Sequence, residues 1–441
     1  MRRLNATDMS LWRLALPMIL SNITVPLLGV VDTAVIGHLD SPVYLGGVAI
    51  GTTATSFLFM LLLFLRMSTT GLTAQAFGAG DQPGLGRAFI QPMLLALLAG
   101  VVMVLLRQPL TELALQITGG SEAVQAQARQ FMHLRWLGAP ATLMNLVLLG
   151  WLLGVQYARA PVILLVVGNL VNIVLDIWLV MGVGMGVRGA ALATISAEYV
   201  TLALGLIMVW RVCRRRGLSL AVMLSGWRGD LSRLLRLNRD ILLRSLLLQL
   251  CFASLTVLGA RLGSEVVAAN AILLMFMTFT AYALDGFAYA VEACSGEAVG
   301  ARDARRLRAV WRAACRQAGA VALAFSLLWL IAGTQIIAML TSLPALRELA
   351  GHYLIWQVII PLAGVWCYLL DGMFIGATRG ADMRNSMAVA ALGFFLTLLT
   401  LPLLGNHALW LAVTVFLLLR GMALGWIWHR HQQRGSWFSA A

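Results

Sequence analysis

The chain has 441 residues, of which 60% are hydrophobic and 11% charged, with a mean hydropathy of +0.87. That composition excludes a soluble domain of this size and points to an all-α polytopic membrane protein. The formal net charge is +14 and every basic side chain is an arginine. These arginines stand in short runs between apolar stretches, which marks a membrane surface and argues against nucleic-acid binding.

Taken in chain order, the apolar stretches predict twelve transmembrane helices at 12–36, 47–77, 89–107, 131–156, 161–182, 189–211, 240–262, 267–298, 309–333, 351–376, 386–404 and 408–429. Several are longer than about 25 residues, so they must tilt or project beyond the hydrocarbon. The first begins after Met1-Arg2-Arg3, is too long for a signal-peptide core and lacks a small-residue cleavage site, so it is expected to be retained. It carries Asp32 in its second half and Pro17 and Pro26 below. A carboxyl inside a membrane helix costs roughly 2.5 kcal/mol or more unless a partner, water or a bound cation offsets it. Proline frees backbone carbonyls and lets a helix bend.

The fifth span reads GNLVNIVLDIWLV, so Asn169, Asn172 and Asp176 are spaced three and then four residues apart and share one helix face. The sixth opens GAALATISAEY, with Thr194 and Glu198 one turn apart. At about 1.5 Å rise per residue, Asp32, Asp176 and Thr194 all lie roughly 6 to 9 Å below the outer membrane edge. Two carboxyls in low dielectric cannot both stay ionised and so can share a proton; the same oxygens could ligate Na⁺ at Asp32 and Asp176. Glu198 faces either the headgroups or another helix.

The chain also repeats. At a separation of 222 residues, QAFGAGD (75–81) matches EAVGARD (297–303), Gly150 matches Gly372, and Gly154 matches Gly376. Spans one to six and seven to twelve are therefore two copies of one unit, expected at 1–211 and 239–441 and joined by an arginine-rich connector at 212–238. Placing both termini in the cytoplasm puts about 25 arginines at cytoplasmic ends and about seven elsewhere. The copies differ chemically, because Ser254 pairs with Asp32 and no carboxyl pairs with Asp176. Instead Asp285 lies deep in span eight, at a depth similar to Arg66 in span two, and an Arg66–Asp285 pair would neutralise both. Asp371, near the inner end of span ten, is placed to snorkel to water. Arg66 is the one arginine read as lying deep.

Signatures of soluble enzymes are missing: no Walker loop, no dinucleotide fingerprint, no HExxH and no Ser/His/Asp set. The five cysteines (Cys213, Cys251, Cys294, Cys315, Cys367) are scattered and lack metal-ligand spacing. No enzyme activity, cofactor or metal centre is expected, which leaves an ion gradient as the energy source.

VDTAVIGHL in span one, TAQAFGAGD ending span two, NLVNIVLD in span five and GAALAT in span six together resemble the multidrug and toxic compound extrusion (MATE) transporters, and among them the DinF-like subfamily. The similarity runs along essentially the whole chain. It implies two pseudo-symmetric six-helix lobes forming a V-shaped cleft in a bacterial inner membrane, and export of organic, often cationic and lipophilic, compounds in exchange for H⁺ or Na⁺. The family's first-lobe cation site maps onto Asp32, Asn172, Asp176 and Thr194. DinF-like members are usually read as H⁺-coupled, which makes Asp32 the expected switch. Some members place an acid in span seven, where this chain offers only Gln249. A monomer is expected from the self-contained repeat. The alternatives are a Na⁺-coupled exporter or a flippase of a lipid-linked precursor, the latter needing a strongly cationic cleft.

Overall fold

A computed structural model describes residues 2–39 and 41–438, with the side chains of residues 2–6, 24 and 26–33 outside the description. Helix α1 runs Arg2–Gly37. Eleven further helices are long and apolar enough to cross a bilayer: α2 Pro42–Ala79, α3 Gln82–Leu105, α4 Glu122–Gly154, α5 Ala160–Gly182, α6 Val187–Arg215, α7 Ser232–Arg261, α8 Ser264–Gly300, α9 Ala304–Leu340, α10 Pro344–Gly376, α11 Gly380–Leu404 and α12 Asn406–Arg434. Each coincides with one predicted span. No strand occurs among the described residues.

The helices outrun the hydrophobic stretches that located them. Helices α8 and α9 each have 37 residues, or about 55 Å of helix against a hydrocarbon core of about 30 Å. The excess is polar: α9 starts Ala304-Arg305-Arg306-Leu307-Arg308, and arginine is a good helix former that costs the helix little in water. Two short helices lie where the sequence suggested only loops, Arg107–Thr118 between α3 and α4 and Leu220–Ser225 after α6.

The chain divides into two compact units, residues 23–234 and residues 1–22 with 235–441. The expected division put all of 1–211 in one lobe. The first half of α1 instead joins the second unit. There the Trp12 and Phe287 rings are 5.9 Å apart, and Asn22 Nδ2 donates to the Tyr282 carbonyl at 3.1 Å. Gly286 makes this approach feasible, since a Cβ there would lie 2.8 Å from the Ile19 nitrogen. Each unit has its own apolar core, one centred on Leu143, Leu148 and Trp151 and the other on Phe276, Trp410 and Phe416.

The repeat is visible in atomic contacts. A Cβ on Gly150 would lie 2.6 Å from the Arg66 carbonyl oxygen, and one on Gly372 would lie 2.7 Å from the Ala288 carbonyl oxygen. Arg66 and Ala288 are themselves 222 positions apart. One turn on, Gly154 meets Thr73 and Gly376 meets Ser295, again a pair at the same offset. Helix α4 thus crosses α2 as α10 crosses α8, backbone against backbone, as small residues allow in membranes. The turns match too. Asp81 and Asp303 each cap the next helix through a backbone N–H at 3.1 Å. Gly80 (φ 66°) and Arg302 (φ 54°) occupy the same left-handed position before them.

Gly372→Val should therefore lower the unfolding temperature of the purified protein in detergent, at an overpacking cost of about 1–3 kcal/mol. Gly351→Ala, where a Cβ meets nothing within 4 Å, should leave it unchanged.

Candidate functional site

In the unit of residues 23–234, α5 turns its polar face inward. Asn172 and Asp176 are 4% and 2% exposed, while Leu170, Val174, Ile177 and Trp178 on the remaining surface are exposed. This is the pattern for a helix with apolar residues toward lipid and ionisable ones toward the bundle. Asn169 is half-buried on the same face. The Asn172 side-chain oxygen has no hydrogen-bond partner among the described residues. An unmet buried acceptor costs about 1–3 kcal/mol, so this oxygen is ready to receive a proton donor or cation.

Asp176 closes the α-helical part of α5, and Ile177–Gly182 continue as a π-helical turn. The wider turn is carried into the loop by Val183 N donating to Trp178 O at 2.8 Å. Such segments are rare and concentrate at functional sites. Helix α6 packs on this turn through Gly189, whose Cβ would lie 3.0 Å from the Leu179 carbonyl. Five residues further, Thr194 donates to the Ala190 carbonyl at 3.1 Å, leaving its oxygen lone pairs available. The adjacent helices α5 and α6 thus present Asn172, Asp176 and Thr194 from one end of the unit. Asp32 lies on the helical backbone of α1, and its side chain, like that of Pro26, falls outside the described residues.

Of its two sequence readings, Glu198 takes contact with another helix. It accepts from Asn145 Nδ2 on α4 at 2.9 Å and lies 3.9 Å from the Arg135 guanidinium. Arg135 is buried and also covers the Phe59 ring at 4.9 Å. Arg66 is buried on α2, just past a break at Leu62–Leu63, and donates to Thr70 Oγ1 at 3.4 Å. Asp285 belongs to the other unit, half-buried on α8.

Asp371 departs from expectation. It does not snorkel to water; it is buried, with Arg244 Nη2 on α7 at 2.6 Å and Arg420 Nη2 on α12 bound to the same carboxylate oxygen. Arg66 is therefore not the one deep arginine. Arg244 and Arg420 are buried as well. The signal that could have found Arg420 is its place at the midpoint of α12, within VTVFLLLRGMALGW. Removing one member of a buried ion group strands the others without a partner. Asp371→Ala should destabilise the protein by about 3–5 kcal/mol, whereas Asp8→Ala, which breaks the exposed Asp8–Arg316 pair, should cost about 1 kcal/mol or less. Thermal unfolding in detergent distinguishes the two.

The MatE family model matches residues 17–178 and 241–404, one match in each half of the chain. The chain is 70% identical over 437 residues to DNA damage-inducible protein F of Escherichia coli (strain K12), covering 99% of this chain and 95% of that one. It is 25% identical to the probable multidrug resistance protein NorM of Acinetobacter baylyi, over 81% of this chain and 80% of that one. A solved outward-facing multidrug resistance MATE family transporter of the MOP superfamily superposes with a TM-score of 0.86 at 21% identity, covering 99% and 97% of the two chains.

Proposed function

Because this chain belongs to the MATE family of membrane-embedded efflux transporters, we propose that it is a proton-coupled antiporter exporting organic, often cationic and lipophilic, compounds. The observation that carries this reading is the buried Asn172–Asp176 face of α5, set against a π-helical turn and holding an amide oxygen without a partner among the described residues. A structural plug would be expected to satisfy its own polar atoms. A site that takes and releases a cation keeps one acceptor open.

In this mechanism Asp32 receives the proton from the outer side. Protonation removes its repulsion with Asp176, since two carboxylates at close range in low dielectric disfavour joint ionisation. Asn172 and Thr194 supply neutral oxygens that orient the carboxyl without adding charge, and Asn169 extends the same face. Release of the repulsion lets α1 bend near Pro26, and the bend expels substrate. The arginine distribution supports both termini on the cytoplasmic side of a bacterial inner membrane. Arg66, Asp285 and the Asp371 group are candidates for substrate contact, and the protein works as a monomer.

Ethidium or rhodamine efflux in inverted vesicles tests the proposal, with an imposed pH gradient or a Na⁺ gradient alone. The pH gradient should drive efflux in the wild type and not in Asp32→Asn or Asp176→Asn. Asn172→Ala should slow efflux about tenfold, as expected for losing one hydrogen bond to a charged group. Efflux driven by Na⁺ alone would retain the exporter and change the ion. Folded protein that moves no dye under either gradient, and instead binds lipid-linked precursor, would replace the exporter with a flippase.

A further inference from the structure

The basic end of α6 holds a cavity that the transport mechanism does not use. It encloses about 370 Å³, within the range of roughly 300–1,000 Å³ typical of small-molecule pockets. Its wall is apolar, formed by Phe89 on α3, Leu206 and Trp210 on α6, and Met223 and Leu224 on the short helix Leu220–Ser225, with Arg214 as the one charged member. Trp210 is sixteen residues beyond Thr194 on the same helix, or about 24 Å at helical rise.

The chain builds this cavity rigidly. After α6, Gly217 takes a left-handed conformation (φ 70°), and Leu218 N donates back to the Cys213 carbonyl at 2.8 Å. Ser219 then caps the short helix by accepting from Val222 N at 3.2 Å. Two glycines press that helix onto α3. A Cβ on Gly86 would lie 2.8 Å from the Val222 carbonyl oxygen, and one on Gly226 would lie 2.7 Å from Arg87 Cα. Gln91 Nε2 adds a hydrogen bond to the Gly226 carbonyl at 3.2 Å. The short helix is thereby held against α3, and the space it leaves beside α6 is the cavity.

The surroundings specify the occupant. Leu206, Trp210, Leu220, Leu224 and Trp227 form exposed apolar surface at this end of a membrane-spanning helix, which hydrocarbon would cover. Arg211, Arg214 and Arg215 are exposed there as well, and none has a carboxylate within ion-pairing distance among the described residues. Arg214 stacks over Trp210 at 5.3 Å, which keeps its guanidinium at the rim of the cavity. Three unneutralised arginines beside an apolar cavity at a membrane edge match the headgroup and acyl chain of an anionic phospholipid. We propose that this cavity binds one anionic phospholipid, an acyl chain filling it and the phosphate meeting Arg214 and its neighbours.

Native mass spectrometry of the delipidated full-length protein tests this, with phosphatidylglycerol, phosphatidylcholine of the same acyl chains, palmitate and inorganic phosphate as probes. Phosphatidylglycerol should be retained at least about fivefold over phosphatidylcholine, the discrimination expected from one or more arginines near the surface. Arg214→Gln, an exposed substitution, should remove that preference. Leu206→Trp, which fills the cavity from its half-open side, should lower retention of both lipids. Arg312→Gln, an exposed arginine on α9, should change nothing. Equal retention of the two lipids by the wild type would overturn the proposal, as would phosphatidylglycerol binding untouched by both cavity variants. Displacement by palmitate or by phosphate as effective as by the phospholipid would replace it with a fatty-acid site or a bare anion patch.

Discussion

Hydrocarbon offers no hydrogen bonds, so every polar group placed in it must find its partner inside the protein. The backbone meets this demand by being helical almost throughout. The side chains meet it by local return: Thr69, Thr70, Thr194, Ser254, Thr280 and Thr414 all donate to a carbonyl one turn back. Where return is impossible the chain builds networks, such as the reciprocal Asn270–Asn406 amide pair with the Trp410 indole donating into it. Among the described residues a minority of buried side-chain atoms escape this rule, the Asn172 oxygen on the inward face of α5 among them.

Much of this was readable from residue patterns. Each of α2 to α12 coincides with an apolar stretch, because a span must be apolar over its whole hydrocarbon length. The duplication was legible from Gly150, Gly154 and their mates, and the structure explains why those positions match. They are the points where backbone meets backbone and no side chain fits. The inward face of α5 was likewise legible, since spacings of three and four residues put Asn169, Asn172 and Asp176 together on any helix.

Other features left no trace that periodicity could catch. The π-helical turn after Asp176 changes hydrogen bonding without changing composition, for Ile177 to Gly182 read as ordinary apolar helix. The pairing of Arg244 and Arg420 was hidden because a charge in a helix looks the same in sequence whether it points to water or to a neighbouring helix. Only the partner across the bundle decides, and Asp371 lies 127 residues from one arginine and 49 from the other. The allegiance of residues 1–22 was hidden for a similar reason. It rests on Gly286 and Ile19, a contact between distant parts of the chain that the repeat does not encode.

The exclusive use of arginine gives the buried group around Asp371 a particular character. A guanidinium stays charged at every pH a cell experiences, unlike an ammonium, which burial can neutralise. Arg244 and Arg420 both bind one carboxylate oxygen of Asp371. In the other unit the buried Arg135 guanidinium lies 3.9 Å from a single carboxylate, that of Glu198. The duplicated halves thus hold their buried charges differently, one carboxylate between two guanidinium groups in one copy and one carboxylate beside a single guanidinium in the other.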